Sequence, residues 1–165
     1  MNIMLVFIKT NIGVQFNLRG LIMKEHSEKL LGEIYKGAKM GMQATKTVLS
    51  KSSDKALNKQ LESQYDSYLK SAPEAEKKLI KNNKIPKEND ILSKATLWGS
   101  IQMGTIADTG APHIAELMIN GSTMGIVDMT KSLNEYKDAD MGASSLARRF
   151  IKNEESNIEQ LKKYL

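Results

Sequence analysis

Apolar residues recur at steps of three and four over most of the chain after Met23, which is the period of an amphipathic helix. The first helix is predicted from Glu25 to Ser50, with lysines and a glutamine opposite a wide apolar face. That face has two adjacent rows: Leu30, Ile34, Gly37, Gly41, Ala44 and Val48, and Leu31, Tyr35, Ala38, Met42, Thr45 and Leu49. The loop Lys51–Asp54 follows, and Ser53 or Asp54 is expected to cap the next helix.

The same period predicts three further helical elements. The second carries Leu57, Leu61, Gln64, Tyr68, Ala72, Ala75 and Leu79 on one face and is expected to kink or restart at Pro73. The third starts near Asn89, is interrupted near Gly110, and continues from Ile114 to about Tyr136. The last carries Ala143, Ala147, Phe150, Glu154, Ile158, Leu161 and Leu165 on its inner face. The pattern predicts an all-α, antiparallel four-helix bundle over residues 24–165, with its third element split near Gly110.

The first twenty-two residues have a different pattern. Val14, Phe16 and Leu18 alternate with polar residues, which is the period of a strand, and the segment has no acidic residue. Three interpretations stay open: a leader translated upstream of a start at Met23, a β-hairpin turning at residues 10–13, or a flexible arm. The leader hypothesis rests on residues 23–26, Met-Lys-Glu-His, which look like a natural bacterial start. The segment is too short and too polar to span a bilayer.

The composition excludes several classes of protein. The chain has no cysteine, which rules out disulfide frameworks, thiolate metal sites and cysteine nucleophiles and suits a reducing compartment such as the cytoplasm. Ten methionines and few aromatic residues indicate helix-on-helix packing with flexible side chains. The net charge of +5 is typical of a solvated surface. The densest basic stretch, from residue 77 to 87, lacks the interleaved aromatics that stack on bases, so no nucleic-acid partner is expected.

Small residues occupy the middle of the apolar faces in three of the helical elements. The pairs are Gly37 and Gly41, Ser100 and Gly104, and Gly121 and Gly125. A glycine inside a helix costs about 1 kcal/mol relative to alanine, so each is expected to have a compensating reason. Two compensating reasons are open: close approach of two helices, or room for a ligand between them. Gly37, Gly41, Gly121 and Gly125 are therefore the candidate ligand-binding or close-packing face.

Polar residues also fall on predicted inner faces, at Gln64, Gln102, Asp128 and Glu154. A buried carboxylate needs an ion-pair partner, a metal ion or a raised pKa. Asp128, Glu154 and Glu62 are the candidate metal ligands, and three carboxylates are enough to hold one hard ion such as magnesium or manganese weakly. The alternative is a structural ion pair with an arginine or lysine. No catalytic residue and no resident cofactor are predicted.

At this point the chain resembles the ferritin-like superfamily, over roughly residues 24–165. The resemblance rests on two antiparallel helical hairpins with inward carboxylates, and on the segments 114–116 (Ile-Ala-Glu) and 121–126 (Gly-Ser-Thr-Met-Gly-Ile), which are similar to uncharacterised bacterial ferritin-like proteins. Di-iron members of that superfamily use a Glu-x-x-His motif on two helices. No such motif occurs here, since Tyr65 and Asn157 follow Glu62 and Glu154 at that spacing. A di-iron centre is therefore not expected.

Three functions follow from these observations as expectations. The favoured one is a non-catalytic, cytoplasmic structural or interaction module, with a second copy of the chain as its expected partner in a homo-oligomer. The alternative is a metal-binding protein or oxidoreductase with a degenerate carboxylate site, and the second alternative is a small-ligand carrier. Exposure of the glycine faces favours association, convergence of Asp128 and Glu154 favours metal, and a void beside the glycines favours a ligand.

Overall fold

The computed structural model describes residues 3–86 and 109–165. This part of the chain forms four α-helices, α1 (Ile3–Leu49), α2 (Lys55–Lys81), α3 (Ala111–Glu135) and α4 (Met141–Leu161), and ends in a 3-10 turn at Lys162–Tyr164. No strand occurs within these two ranges. The predicted all-helical class is therefore confirmed. The predicted first part of the third element, with Ser100, Gln102 and Gly104, lies outside the described residues.

Side-chain caps fix the starts of two helices. The Asp54 carboxylate accepts a hydrogen bond from the backbone N–H of Leu57 at 2.8 Å, so the predicted cap of α2 falls on Asp54 rather than Ser53. Asp140 caps α4 in the same way, accepting from Ala143 at 2.9 Å. Both caps satisfy backbone donors that have no partner within the helix, which is why the chain turns sharply at these residues.

Two predictions about the first half of the chain are wrong. The proposed β-hairpin before Met23 is absent, because α1 is continuous from Ile3 to Leu49. The strand-like alternation covers only five residues, and the backbone N–H and C=O groups are satisfied instead within one helix. The predicted restart at Pro73 is also wrong, because α2 runs unbroken from Lys55 to Lys81, and the alternative of a kink stays a prediction. Pro73 lies on the exposed side of α2, where the carbonyl that loses its N–H partner can face water.

The directions of the helices follow from two apolar clusters at opposite ends of the bundle. The first cluster joins the middle of α1 to the C-terminal part of α2, the C-terminal part of α3 and the N-terminal part of α4, through Leu30, Ile34, Ala72, Leu79, Met129, Leu146 and Phe150 among others. The second joins the opposite ends, through Val48, Leu57, Leu61, Ile114, Met118 and Leu161. Helices α1 and α4 are therefore parallel, α2 and α3 run the other way, and the connection from residue 82 to residue 110 joins opposite ends of the bundle.

Buried polar residues lie between these two apolar clusters, with every helix contributing at least one. They are Thr45 on α1, Gln64 on α2, Ser122 on α3, and Glu154 and Asn157 on α4. Thr45 satisfies its hydroxyl by donating to the carbonyl of Gly41 on its own helix, at 2.8 Å. Gln64 and Ser122 instead bond across the bundle, from α2 to α3, at 3.1 Å. This level of the bundle holds the candidate site.

Candidate functional site

A cavity of about 130 Å³ lies between α1 and α3 at the level of the buried polar residues. Its walls are mainly glycine and methionine, with polar and charged side chains at one end and at the rim. The lining residues are Glu33, Lys36, Gly37, Met40, Gly41, Ala44, Tyr68, Met118, Gly121, Ser122, Met124, Gly125, Asp128, Met129, Ser132, Phe150 and Glu154. The four glycines singled out in the sequence therefore all face one void.

The glycines of α1 make room for two aromatic rings. A methyl group added at Gly41 would overlap the ring of Tyr68, and one at Gly37 would stand 3.2 Å from Cζ of Phe150. The two rings are neighbours, with centroids 6.2 Å apart and planes tilted by 41°. On the opposite wall, a methyl group at Gly125 would make only ordinary contacts, 3.8 Å from Phe150 and 3.9 Å from Cγ of Glu154. An added methyl group would therefore be crowded on the α1 wall, whereas at Gly125 on the α3 wall it would make only ordinary contacts.

Gln64 connects α2 to α3 through its side-chain amide. Its Nε2 donates to the hydroxyl of Tyr68 at 3.0 Å and to the hydroxyl of Ser122 at 3.1 Å. Gln64 is 0% exposed, so these two bonds are made away from bulk water. Both hydroxyl oxygens act as acceptors here, which leaves each hydroxyl proton available to a second group. The second group is Glu154.

Glu154 is the buried carboxylate of the site, with 2% of its surface exposed. Burial raises its pKa above the ordinary value of 4.5, while the Ser122 and Tyr68 hydroxyls and the Asn157 amide act in the opposite direction by stabilising the ionised form. Burial and the nearby carboxylate of Glu154 in turn raise the pKa of Tyr68 well above 10.0, so the phenol stays neutral and can donate. Among the described residues, no partner is found for the Oε2 atom of Glu154.

The three carboxylates predicted as metal ligands do not share one environment. Asp128 is on the surface, with 75% of its side chain exposed and Lys131 at 3.9 Å. Glu62 is also exposed. The prediction that both face inward is wrong, because Met129 and Leu61, one position away, point into the bundle, and adjacent helical positions differ by about 100°. Residues 3–86 and 109–165 contain no group of three or more His, Cys, Asp or Glu side chains arranged to hold a metal ion.

Sequence reasoning identified Glu154 and Gln64 and missed their two partners. Tyr68 was assigned only to an apolar face, although it follows Gln64 by one helical turn and its hydroxyl needs a partner when buried. Ser122 enters the sequence analysis only as part of the segment 121–126 and has no role assigned to it there. Its spacing could have identified it, because Ser122 follows the buried Met118 by four positions and so lies on the same helix face.

Comparisons with protein families, with curated proteins and with solved structures yield no match to this chain. Among the helices of the described residues, none combines the length and the apolar character needed to cross a membrane. The cavity and the groups that face it are therefore the features of this molecule that bear on its function.

Proposed function

We propose that this protein is a non-catalytic helical-bundle protein that binds a small, mainly apolar ligand in the cavity between α1 and α3. The observation that carries the proposal is the void beside Gly37, Gly41, Gly121 and Gly125. Glycine is unfavourable inside helices, and on the α3 wall no close contact explains its use at Gly125. A cavity of about 150 Å³ in another protein holds benzene, so the volume found here suits a ligand of similar size.

The lining supports binding rather than catalysis. Methionine side chains from both walls, Met40, Met118, Met124 and Met129, supply adaptable apolar contacts. A few polar groups converge at one end, which is the usual composition of a small-molecule site.

We also propose that the fold is of the ferritin-like class. The support is the order of helix directions, in which α2 and α3 are parallel and one long connection joins opposite ends of the bundle. Ferritin-like bundles have one such crossover. The proposal concerns architecture and carries no metal chemistry with it.

Titration of the protein with toluene, followed through amide chemical shifts in NMR spectra, tests the binding function. We expect saturable shifts at residues around Gly125. Gly125→Leu should abolish them, because the leucine side chain would extend into the void. Gly32→Leu is the matched control, since Gly32 is also in a helix and has nothing within 4 Å of an added methyl group. Absence of saturable shifts in the parent protein, or equal binding by Gly125→Leu, would contradict the proposal.

A second candidate function, self-association, is supported by apolar side chains on α1 beyond the bundle. Leu18, Leu21, Ile22 and Met23 are 58%, 60%, 37% and 46% exposed, and no other described element covers them. Sedimentation equilibrium of the parent and of a Leu18→Lys, Leu21→Lys variant tests it. An oligomer that dissociates in the variant supports association through this segment, whereas a monomeric parent excludes it.

A further inference from the structure

At the polar end of the cavity the hydrogen bonds begin at the amide of Gln64, and their direction determines which ligand groups can bind there. Gln64 donates through Nε2 to both Tyr68 and Ser122. Each hydroxyl has then used an oxygen lone pair toward Gln64 and turns its proton elsewhere. Glu154 is the carboxylate beside both hydroxyls, and both of them stabilise its ionised form. The chain of donors therefore runs from Gln64 through two hydroxyls to Glu154, and it ends on an acceptor.

Glu154 retains unused capacity as an acceptor. Its Oε2 has no partner among the described residues although the side chain is 2% exposed and lines the cavity. A buried carboxylate oxygen without a partner is costly, and the cost is removed when a donor binds. A ligand that brings a hydrogen-bond donor to this end of the cavity therefore gains more than one that brings an acceptor.

The charges around the cavity favour a cationic donor over a neutral one. In the part of the chain that the structure describes, Glu154 forms no ion pair with lysine or arginine. The lining has three carboxylates, Glu33, Asp128 and Glu154, and one ammonium, Lys36, which leaves two negative charges in excess. Lys36 is already 3.1 Å from the carboxylate of Glu33 on its own helix. A cation bound beside Glu154 would offset part of this excess.

We propose that the cavity binds a small hydrophobic amine, whose ammonium group donates to Oε2 of Glu154 while its hydrocarbon part contacts Met118, Met129 and Phe150. The inference rests on the proposed ligand-binding function and adds the chemical class of the ligand. Charge-assisted hydrogen bonds are roughly twice as strong as neutral ones, so the amine is selected over a hydrocarbon of the same shape.

Calorimetric titrations of the intact protein at pH 7 with benzylamine, benzyl alcohol, benzaldehyde and toluene test this inference. We expect benzylamine to bind about tenfold or more tightly than toluene, with benzyl alcohol between them. Glu154→Gln should remove that preference while toluene still binds. Glu62→Gln is the matched control, because Glu62 is an exposed carboxylate on α2 and its loss should leave the preference unchanged.

The possible outcomes separate this inference from the proposed function. If toluene binds and benzylamine is no better, or if benzaldehyde is the best ligand, the cavity binds apolar molecules and the assignment of an amine is wrong. If Glu62→Gln lowers amine binding as much as Glu154→Gln does, the amine binds to surface carboxylates and the inference fails. If none of the four probes binds, the proposed function itself fails.

Discussion

Tyr68 on α2 packs its ring directly on the backbone of Gly41 on α1, where any larger side chain would overlap it. The same tyrosine accepts a hydrogen bond from Gln64 and lies beside Glu154, so its ring position determines the geometry of the polar end of the cavity. The glycine in the middle of α1 therefore has a specific purpose. Without it, the ring could not reach the level at which its hydroxyl meets Ser122 and Glu154.

Gly41→Ala is expected to destabilise the protein by about 1–3 kcal/mol, the usual cost of overpacking a core. The buried Tyr68 ring is fixed by its hydrogen bond and cannot move aside at low cost. Gly32→Ala serves as the control and should be neutral or more stable, because nothing lies near its added methyl group and alanine favours the helix. Urea unfolding of both variants measures the difference. Equal stability of the two would show that Tyr68 is not fixed.

Gly125→Ala is expected to stabilise the protein by about 0.5–1 kcal/mol, the difference in helix propensity between glycine and alanine. Its methyl group would meet Phe150 and Glu154 at ordinary contact distances. The change in the free energy of unfolding would then have the opposite sign to that of Gly41→Ala, although both glycines line the same cavity. Thermal unfolding checks it, and a loss of stability on the scale of Gly41→Ala would mean that the α3 wall is closely packed.

Glu154 should make the protein less stable as the pH rises. Because its pKa in the folded state is raised above the ordinary 4.5, its favourable contribution is complete below that pH and is lost as the pH rises through the folded-state pKa. The groups that face it from the other helices are Gln64, Tyr68 and Ser122, with Glu33, Lys36 and Asp128 around the cavity.

Comparison with Glu154→Gln isolates this contribution. The variant should gain stability relative to the parent as the pH rises above 4.5 and through the folded-state pKa of Glu154, because glutamine cannot ionise. The difference in stability between parent and variant also removes the contribution of Asp140, which is the same in both proteins. Burial opposes its ionisation, but hydrogen bonds from Ala143 and Ser27 outweigh burial and hold the pKa of Asp140 below 3.8. The contribution of Asp140 is therefore lost only as the pH falls. A difference between parent and variant that is constant with pH would contradict the assignment.

A chain that begins at Met23 is expected to keep the melting temperature of the full chain and to lose only the helical signal of the residues removed. Residues 17–25 are exposed, and from residue 17 onward the first buried residue of α1 is Ser27. Ser27 accepts from the backbone N–H of Asp140 at 2.8 Å and so connects α1 to the start of α4. Circular dichroism of both chains makes the comparison. A fall of many degrees in the shorter chain would show that the first part of α1 packs on the protein.

Iron loading is expected to leave no pair of tightly bound iron ions in this chain. Asp128 and Glu62 are exposed, and Glu154 is surrounded by Gln64, Tyr68 and Ser122 rather than by further carboxylates or histidine. Anaerobic addition of iron, exposure to oxygen and metal analysis after desalting test this. Two irons per chain that are lost in an Asp128→Ala, Glu154→Ala variant would establish a di-iron centre and overturn the prediction.

The sequence by itself determined the helices and the position of the glycine stripe. Periodicity places Leu30, Leu57 and Met118 on buried faces, and Asp54 marks a helix start, because both features depend on residues within one helical turn. Local alternation before Met23 gave a wrong prediction of strand. A strand needs a partner, and the helix satisfies its own backbone without one.

Only the tertiary structure decided which polar residues face one another. Asp128 and Ser122 both lie close to the apolar stripe of α3, and a rotation of the helix by a fraction of a turn decides which of them is buried. That rotation is fixed by packing against α1, α2 and α4 together, through contacts between residues far apart in the chain. The cavity has the same origin, because its volume is the space that four helices leave when Tyr68 and Phe150 occupy the grooves opened by Gly41 and Gly37.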